Sequence, residues 1–204
     1  MTSTLEVFAD VTCPFTHVGL HVVQSRLGAM ARSVDVVVRA WPLEWVNGQP
    51  LDSDDVAVKI DALRTQLDLD IFTGFSADRW PTTSIPALNL AEMAYRVDVD
   101  LGYTVSLQLR DLLFEQGQDI ADMTVLGEVA GAHGLTSPPV DATEGVEADY
   151  DAGRRRGVRG SPDFWIDGDD FFCPALEIGH DERDALTARF DTSGLQEMLD
   201  RLEP

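Results

Sequence analysis

An α/β fold interrupted by a long all-helical segment is what this sequence predicts, on three observations. First, two apolar runs, Leu5-Glu6-Val7-Phe8-Ala9 and residues 34–40, flank a stretch of helical period. Near-continuous apolar strands of this kind belong to sheets covered on both faces. Second, residues 52–156 keep a helical period with no convincing strand. Third, apolar runs stand on either side of Asp167-Gly168, a dipeptide that signals a tight hairpin between strands.

Taken in order, a strand over 5–9 leads into a helix over 14–30, with Val18, Val22, Leu27 and Met30 as its inner face. A strand over 34–40 closes a βαβ unit. Ser53-Asp54-Asp55, Thr82-Thr83-Ser84 and Asp122 read as helix starts, because short polar side chains accept from the unpaired N–H groups of a first turn. Helices are expected over 56–66, 87–97, 100–116, 123–132 and 143–155, with a turn at Ser137-Pro138-Pro139. A hairpin over 163–173 and closing helices, one over 195–202, complete the chain. The domain reading is a discontinuous sheet domain, 1–51 with 155–204, around a helical insertion at 52–154.

The chemistry concentrates at Asp10-Val11-Thr12-Cys13-Pro14-Phe15-Thr16-His17, where strand gives way to helix. The first N–H groups of a helix are unpaired, and its dipole favours a thiolate there. Pro14 fits the first turn, where its missing N–H costs nothing. The position favours a reactive cysteine over a small core residue. Position 16, where a Cys-x-x-Cys redox motif would carry its second thiol, is threonine. Residues three apart share a helix face, so the Thr16 hydroxyl is expected to reach the Cys13 sulfur, and the site reads as monothiol. Further on, Gly157-Val158-Arg159-Gly160-Ser161-Pro162 precedes the hairpin.

With these motifs the chain resembles the DsbA/FrnE-like branch of the thioredoxin superfamily, which includes 2-hydroxychromene-2-carboxylate isomerases and kappa-class glutathione transferases. The matching stretches are 5–51 and 154–190, including Arg39-Ala40-Trp41-Pro42-Leu43. Phe171-Phe172-Cys173-Pro174-Ala175-Leu176 is similar to a stretch of mycothiol-linked actinobacterial members that carry glycine at the place of Cys173. The resemblance implies a thioredoxin fold with a large all-helical insertion, a DsbA-like α/β architecture. It implies a cis bond before Pro162, whose ring faces the cysteine. It makes Cys13, Thr16 and Pro162 the catalytic set and places Pro14, Phe15, Ser161 and Cys173 around the substrate. The insertion is expected to roof the Cys13 pocket, with Phe15, Trp41, Phe75, Trp80, Phe114 and Trp165 as candidates for an apolar wall. Cys173 is weighed both as a replacement for the missing second thiol and as a small packing residue beside Pro174.

Composition narrows the partners. Thirty-six acidic residues against 15 basic ones give a formal net charge of −21, a surface that repels nucleic acid and anionic lipid. No apolar stretch is long enough to span a membrane, and the N-terminus shows no leader pattern, so cytoplasm is the expected compartment. Arg154-Arg155-Arg156 reads as a solvated helix end, with attraction of a carboxylate-bearing thiol as the lesser reading. His17 and His21 lie one helical turn apart with no third ligand evident, so no metal is expected.

The leading functional reading is a thiol–disulfide oxidoreductase acting through a mixed disulfide on Cys13. Its partner is a small-molecule thiol or disulfide-bearing substrate. No cofactor is tightly bound, a low-molecular-weight thiol serves as co-substrate, and a homodimer is compatible. The alternatives are a thiol-cofactor-dependent isomerase or transferase, and a non-catalytic thioredoxin-fold binding protein.

Overall fold

In the computed structural model, residues 3–30 and 33–202 are described. Four strands form the main sheet: β1 (Ser3–Ala9), β2 (Val34–Ala40), β3 (Asp163–Ile166) and β4 (Asp169–Phe172), in the order β2-β1-β3-β4. β1 and β2 run parallel, with Val7 opposite Val38. β3 runs antiparallel to β1, with Val7 opposite Phe164, and β4 returns antiparallel beside β3. Leu5, Val7, Phe8 and Ala9 are all fully buried, as a central strand covered on both faces must be. Asp167 (φ 51) and Gly168 (φ 98) turn the hairpin, in the left-handed conformations that such tight turns demand.

The parallel pair is joined by α1 (Pro14–Leu27), which buries Val18, Leu20 and Val23. The helix ends three residues before the expected Met30. Gly28 closes it, and Ala29 and Met30 continue with tighter turns onto Arg26 and Leu27. A short helix, α2 (Leu43–Asn47), follows β2 where the sequence reading places no element.

The insertion contains α3 (Ser53–Leu67), α4 (Ile85–Val97), α5 (Val99–Phe114), α6 (Met123–Ala132) and α7 (Glu144–Arg156). Its caps come from the expected residue types. Asp52 accepts from Asp54 and Asp55 N–H, Asp98 from Leu101, Asp122 from Thr124 and Thr143 from Val146. Gly157 stops α7 at φ 80, a conformation open to glycine without a Cβ penalty.

These helices protect the β2 edge of the sheet. The Tyr95 hydroxyl accepts from Val38 N–H at 2.9 Å and donates to Val36 C=O at 3.2 Å. Asp149 accepts from Ala40 N–H at 3.1 Å. An exposed strand edge invites pairing with other chains, and here side chains of α4 and α7 occupy it.

After Cys173 the structure departs from the sequence reading. Where closing helices are expected, a second sheet forms from β5 (Leu176–His180) and β6 (Leu186–Phe190). Its loop is held by Asp181, which accepts from Arg183 and Ala185 N–H. Gln66 of α3 donates to Leu186 C=O and accepts from Ala188 N–H, so the insertion supports this hairpin. α8 (Thr192–Asp200) starts three residues early because Asp191 caps it.

α7 approaches the sheet through Gly153, where a Cβ would lie 2.6 Å from the Trp41 ring and 3.0 Å from that of Phe8. Gly153→Val is therefore expected to destabilise the fold by about 1–3 kcal/mol, the usual cost of overpacking, read as a lowered thermal midpoint. An unchanged midpoint would show that α7 is not seated as described.

Candidate active site

The site is built where β1 ends. Asp10 turns the chain, its carboxylate accepting from Thr12 N–H and Thr12 hydroxyl at 2.8 Å each. It also accepts from Leu43 N–H at 2.6 Å and Ser84 hydroxyl at 3.1 Å. Four donors fix this buried group, so the turn has one geometry. Cys13 follows at the N-cap of α1, extended at φ −80 and ψ 116, with Pro14 in the first turn. Its N–H donates to Asp10 C=O at 3.4 Å and its own C=O accepts from His17 N–H at 3.2 Å.

The opposite wall arrives from 148 positions along the chain. The Cys13 thiol donates to Ser161 C=O at 3.0 Å. The Ser161–Pro162 peptide bond is cis. Pro162 is buried, with its ring against α1 at Gly19, where a Cβ would sit 3.6 Å from the proline Cγ. The sulfur therefore meets the carbonyl before the proline.

Thr16 corrects an expectation. Its hydroxyl pairs with the Ser161 hydroxyl at 2.8 Å instead of turning to the sulfur. Ser161 Oγ also accepts from Asp10 N–H at 3.0 Å. The helix face shared with Cys13 is real, but Ser161 stands within reach and offers oxygen, a better partner than sulfur.

Cys173 comes to the same edge. The register that sets Asp163 opposite Phe172 continues, and Cys173 N–H donates to Pro162 C=O at 3.0 Å. Both cysteines are free and buried. Burial, and secondarily the nearby Cys13, push the Cys173 thiol up to about 12. Its backbone is left-handed at φ 48, where a Cβ is strained and glycine is not.

The expected single aromatic wall resolves into two clusters. Phe75, Trp80 and Phe114 pack with Phe72 and His17. Trp41 and Trp165 flank Phe8 on the α7 side. Phe15 is half-buried against the core, beside a buried Pro14. The arginine run is engaged too: Arg156 pairs with Glu6 at 2.6 Å and covers the Phe8 and Trp165 rings, and Arg154 lies over Tyr150.

Two charged neighbours of the site escape the sequence reading. Arg110 of α5 is buried under the turn, donating to Ser106 C=O and hydroxyl and, at 3.3 Å, to Asp10 C=O. That carbonyl also receives the Cys13 N–H, so one oxygen links the cation to the cysteine backbone. Burial pushes Arg110 down and Asp10 opposes it; burial likewise pushes Asp10 up against its hydrogen bonds. The available signal was Ser106 and Arg110, a polar i,i+4 pair within the buried stripe Val105, Leu109 and Leu113.

The second is Glu115. Its carboxylate accepts from His17 Nε2 at 2.8 Å, from Phe72 and Thr73 N–H, and from Thr73 hydroxyl. Burial opposes its ionisation, but these bonds outweigh burial and hold it at about 2. Burial pushes His17 down against the pull of Glu115. A neutral imidazole donating Nε2–H to a carboxylate satisfies both.

A family model described as a DSBA-like thioredoxin domain matches residues 4–189. Among solved structures, the chain is similar to cytosolic disulfide reductase DsbM from Pseudomonas aeruginosa. The identity is 16% and the TM-score 0.54, over 98% of this chain and 95% of that one. It is also similar to a 2-hydroxychromene-2-carboxylate isomerase, at 13% identity and TM-score 0.59, over 83% of this chain and 88% of that one. A comparison with curated proteins finds no match. Among the described residues, no helix is long and apolar enough to cross a membrane.

The sign of the Glu115 effect follows from its depressed pKa. Its contribution to stability is fully present above its ordinary 4.5 and is lost as pH falls toward about 2. Glu115→Gln should cost about 1–2 kcal/mol at pH 7, allowing for screening of this part-exposed side chain. The variant should also lose less stability than wild type between pH 5 and pH 3 in urea melts. Parallel acid limbs for the two proteins would refute the assignment.

Proposed function

We propose that this chain, which belongs to the DSBA-like thioredoxin domain family, is a monothiol thiol–disulfide oxidoreductase that works through a mixed disulfide on Cys13. The observation that carries the reading is the placement of the Cys13 thiol. It stands at the N-terminus of α1, on the carbonyl that precedes Pro162, and the neighbouring Cys173 is buried and pushed up to about 12.

The geometry supports the following course. Cys13 gives up its hydrogen bond to Ser161 C=O and attacks, as thiolate, one sulfur of a substrate disulfide. The Cys13–sulfur bond forms as the substrate S–S bond breaks, and the departing thiolate takes a proton from solvent. The freed Ser161 carbonyl accepts from a backbone N–H of an extended substrate, as in strand addition. A low-molecular-weight thiolate then attacks the substrate sulfur of the mixed disulfide, the Cys13–sulfur bond breaks to release Cys13 as thiolate, and the substrate sulfur leaves in a new disulfide with the incoming thiol.

Cys173 is poorly suited to that second step. A thiol pushed up to about 12 stays protonated at pH 7, and the thiolate is the nucleophile. Removing the Cys13 charge by adduct formation relieves only the lesser cause of the shift; burial, the larger, persists. Thr16 acts through Ser161: with Asp10 N–H it fixes the Ser161 hydroxyl, and so the carbonyl that faces the sulfur.

Incubation with an oxidised low-molecular-weight thiol, followed by intact mass, tests the reading. Wild type and Cys173→Ser should each carry one adduct, which added thiol removes, and Cys13→Ser should carry none. Absence of any adduct, with tight binding of reduced thiol instead, would favour an isomerase or transferase and overturn the proposal. An internal disulfide in wild type under the same treatment would overturn the monothiol assignment. Thr16→Val should slow reaction of Cys13 with the oxidised thiol without changing adduct stoichiometry.

A further inference from the structure

We propose that His17, His21 and Asp111 form a binding site for a single borderline transition-metal ion of the Zn²⁺ class, clamping α1 to α5. One ring nitrogen of each histidine and a carboxylate oxygen of Asp111 lie within 4.8 Å of one another. The histidines lie one turn apart on α1, and Asp111 faces them from α5, a pairing that no spacing in sequence announces. His21 Nε2 and Asp111 Oδ1 are 3.8 Å apart, and the His17 and His21 rings meet edge to face at 4.6 Å.

The donor set fits the ion. Two imidazoles and one carboxylate, with no thiolate, suit zinc, nickel or copper and leave a position for water. Bonds of about 2 Å need ligand atoms closer together than 4.8 Å. His21 and Asp111 can supply that movement, since their side chains are 41% and 46% exposed. His17 need not move: it is buried, ring-packed by Phe72 and Phe114, and held by Glu115. Glu115, in contact with the same ring, adds a second carboxylate charge, and the net charge of −21 raises the local cation concentration.

Asp111 and Glu115 are themselves one turn apart on α5. Each therefore faces one histidine: Glu115 the buried His17, Asp111 the exposed His21. A metal bound by these three side chains would tie α1 to α5 one to two turns along α1 from Cys13. Such a ligand, bound by the folded state, stabilises it by mass action.

The test uses the full chain, without a histidine tag, as Cys13→Ser/Cys173→Ser, so that no thiol can bind metal. Titration with Zn²⁺ should show one ion per chain and raise the thermal midpoint by several degrees. Co²⁺ should give visible d–d bands. His21→Ala and Asp111→Asn, both at half-exposed positions, should each weaken Zn²⁺ binding at least tenfold and abolish the thermal shift. No saturable binding by the thiol-free chain would overturn the proposal. So would binding that is indifferent to His21→Ala, which would place the ion on the acidic surface at large.

Discussion

Ser161 is the residue on which the site closes. Its carbonyl takes the Cys13 thiol, while its hydroxyl takes Asp10 N–H and pairs with Thr16. These contacts join the turn after β1 to the segment before β3 at the end of the sheet where α1 begins. β1 and β3 are already neighbours by register. The side chain of Ser161 thus completes laterally what the sheet begins, and it does so where backbone pairing has stopped. Loss of that hydroxyl would leave Asp10 N–H and Thr16 Oγ1 without their partner in a buried place, where unsatisfied polar groups are costly.

Beneath this contact lies a charged layer. Asp10 is buried with four donors on its carboxylate, and Arg110 is buried with its guanidinium on the Asp10 carbonyl. Desolvation works against the charged form of each. Arg110 reaches the backbone carbonyl of Asp10 and not its carboxylate, so the carboxylate keeps its four donors while the guanidinium is also held by Ser106. The structural result is a fixed turn: Thr12 and Leu43 bind the Asp10 carboxylate from two different connections. Arg110 brings the insertion into the same network, so the helical layer meets the sheet domain immediately below Cys13.

Local rules explain what was legible. The parallel pair, the capped helices and the Asp167–Gly168 hairpin follow from apolar period, capping residues and turn chemistry, all carried by neighbours in sequence. The β5–β6 hairpin was not legible. Its strands are short, Gly179-His180 interrupts the alternation, and its loop depends on Asp181 accepting from residues two and four ahead. Its other support, Gln66, lies 120 positions away. The site divides in the same way. Cys13 and Pro162 stand in motifs, but Arg110 and Glu115 belong to it only through contacts made from α5. Thr16 shows the limit of helical spacing as a guide: the shared face is correct, yet a partner 145 positions distant claims the hydroxyl.

The two thiols illustrate how one edge of a sheet can make unequal cysteines. Cys13 begins a helix of 14 residues, and its thiol has a defined acceptor. Cys173 ends a short strand in a left-handed turn, with its N–H used on Pro162 C=O, and no helix starts there. Nearness alone would make the pair look like a divided redox motif. The Cys173 thiol is pushed up by burial, and no helix starts beside it. On the proposed reading, the missing second thiol at position 16 is therefore not restored by the fold. Resolution of a Cys13 adduct from solution belongs to that same proposal, in which Ser161 holds both the sulfur and Thr16.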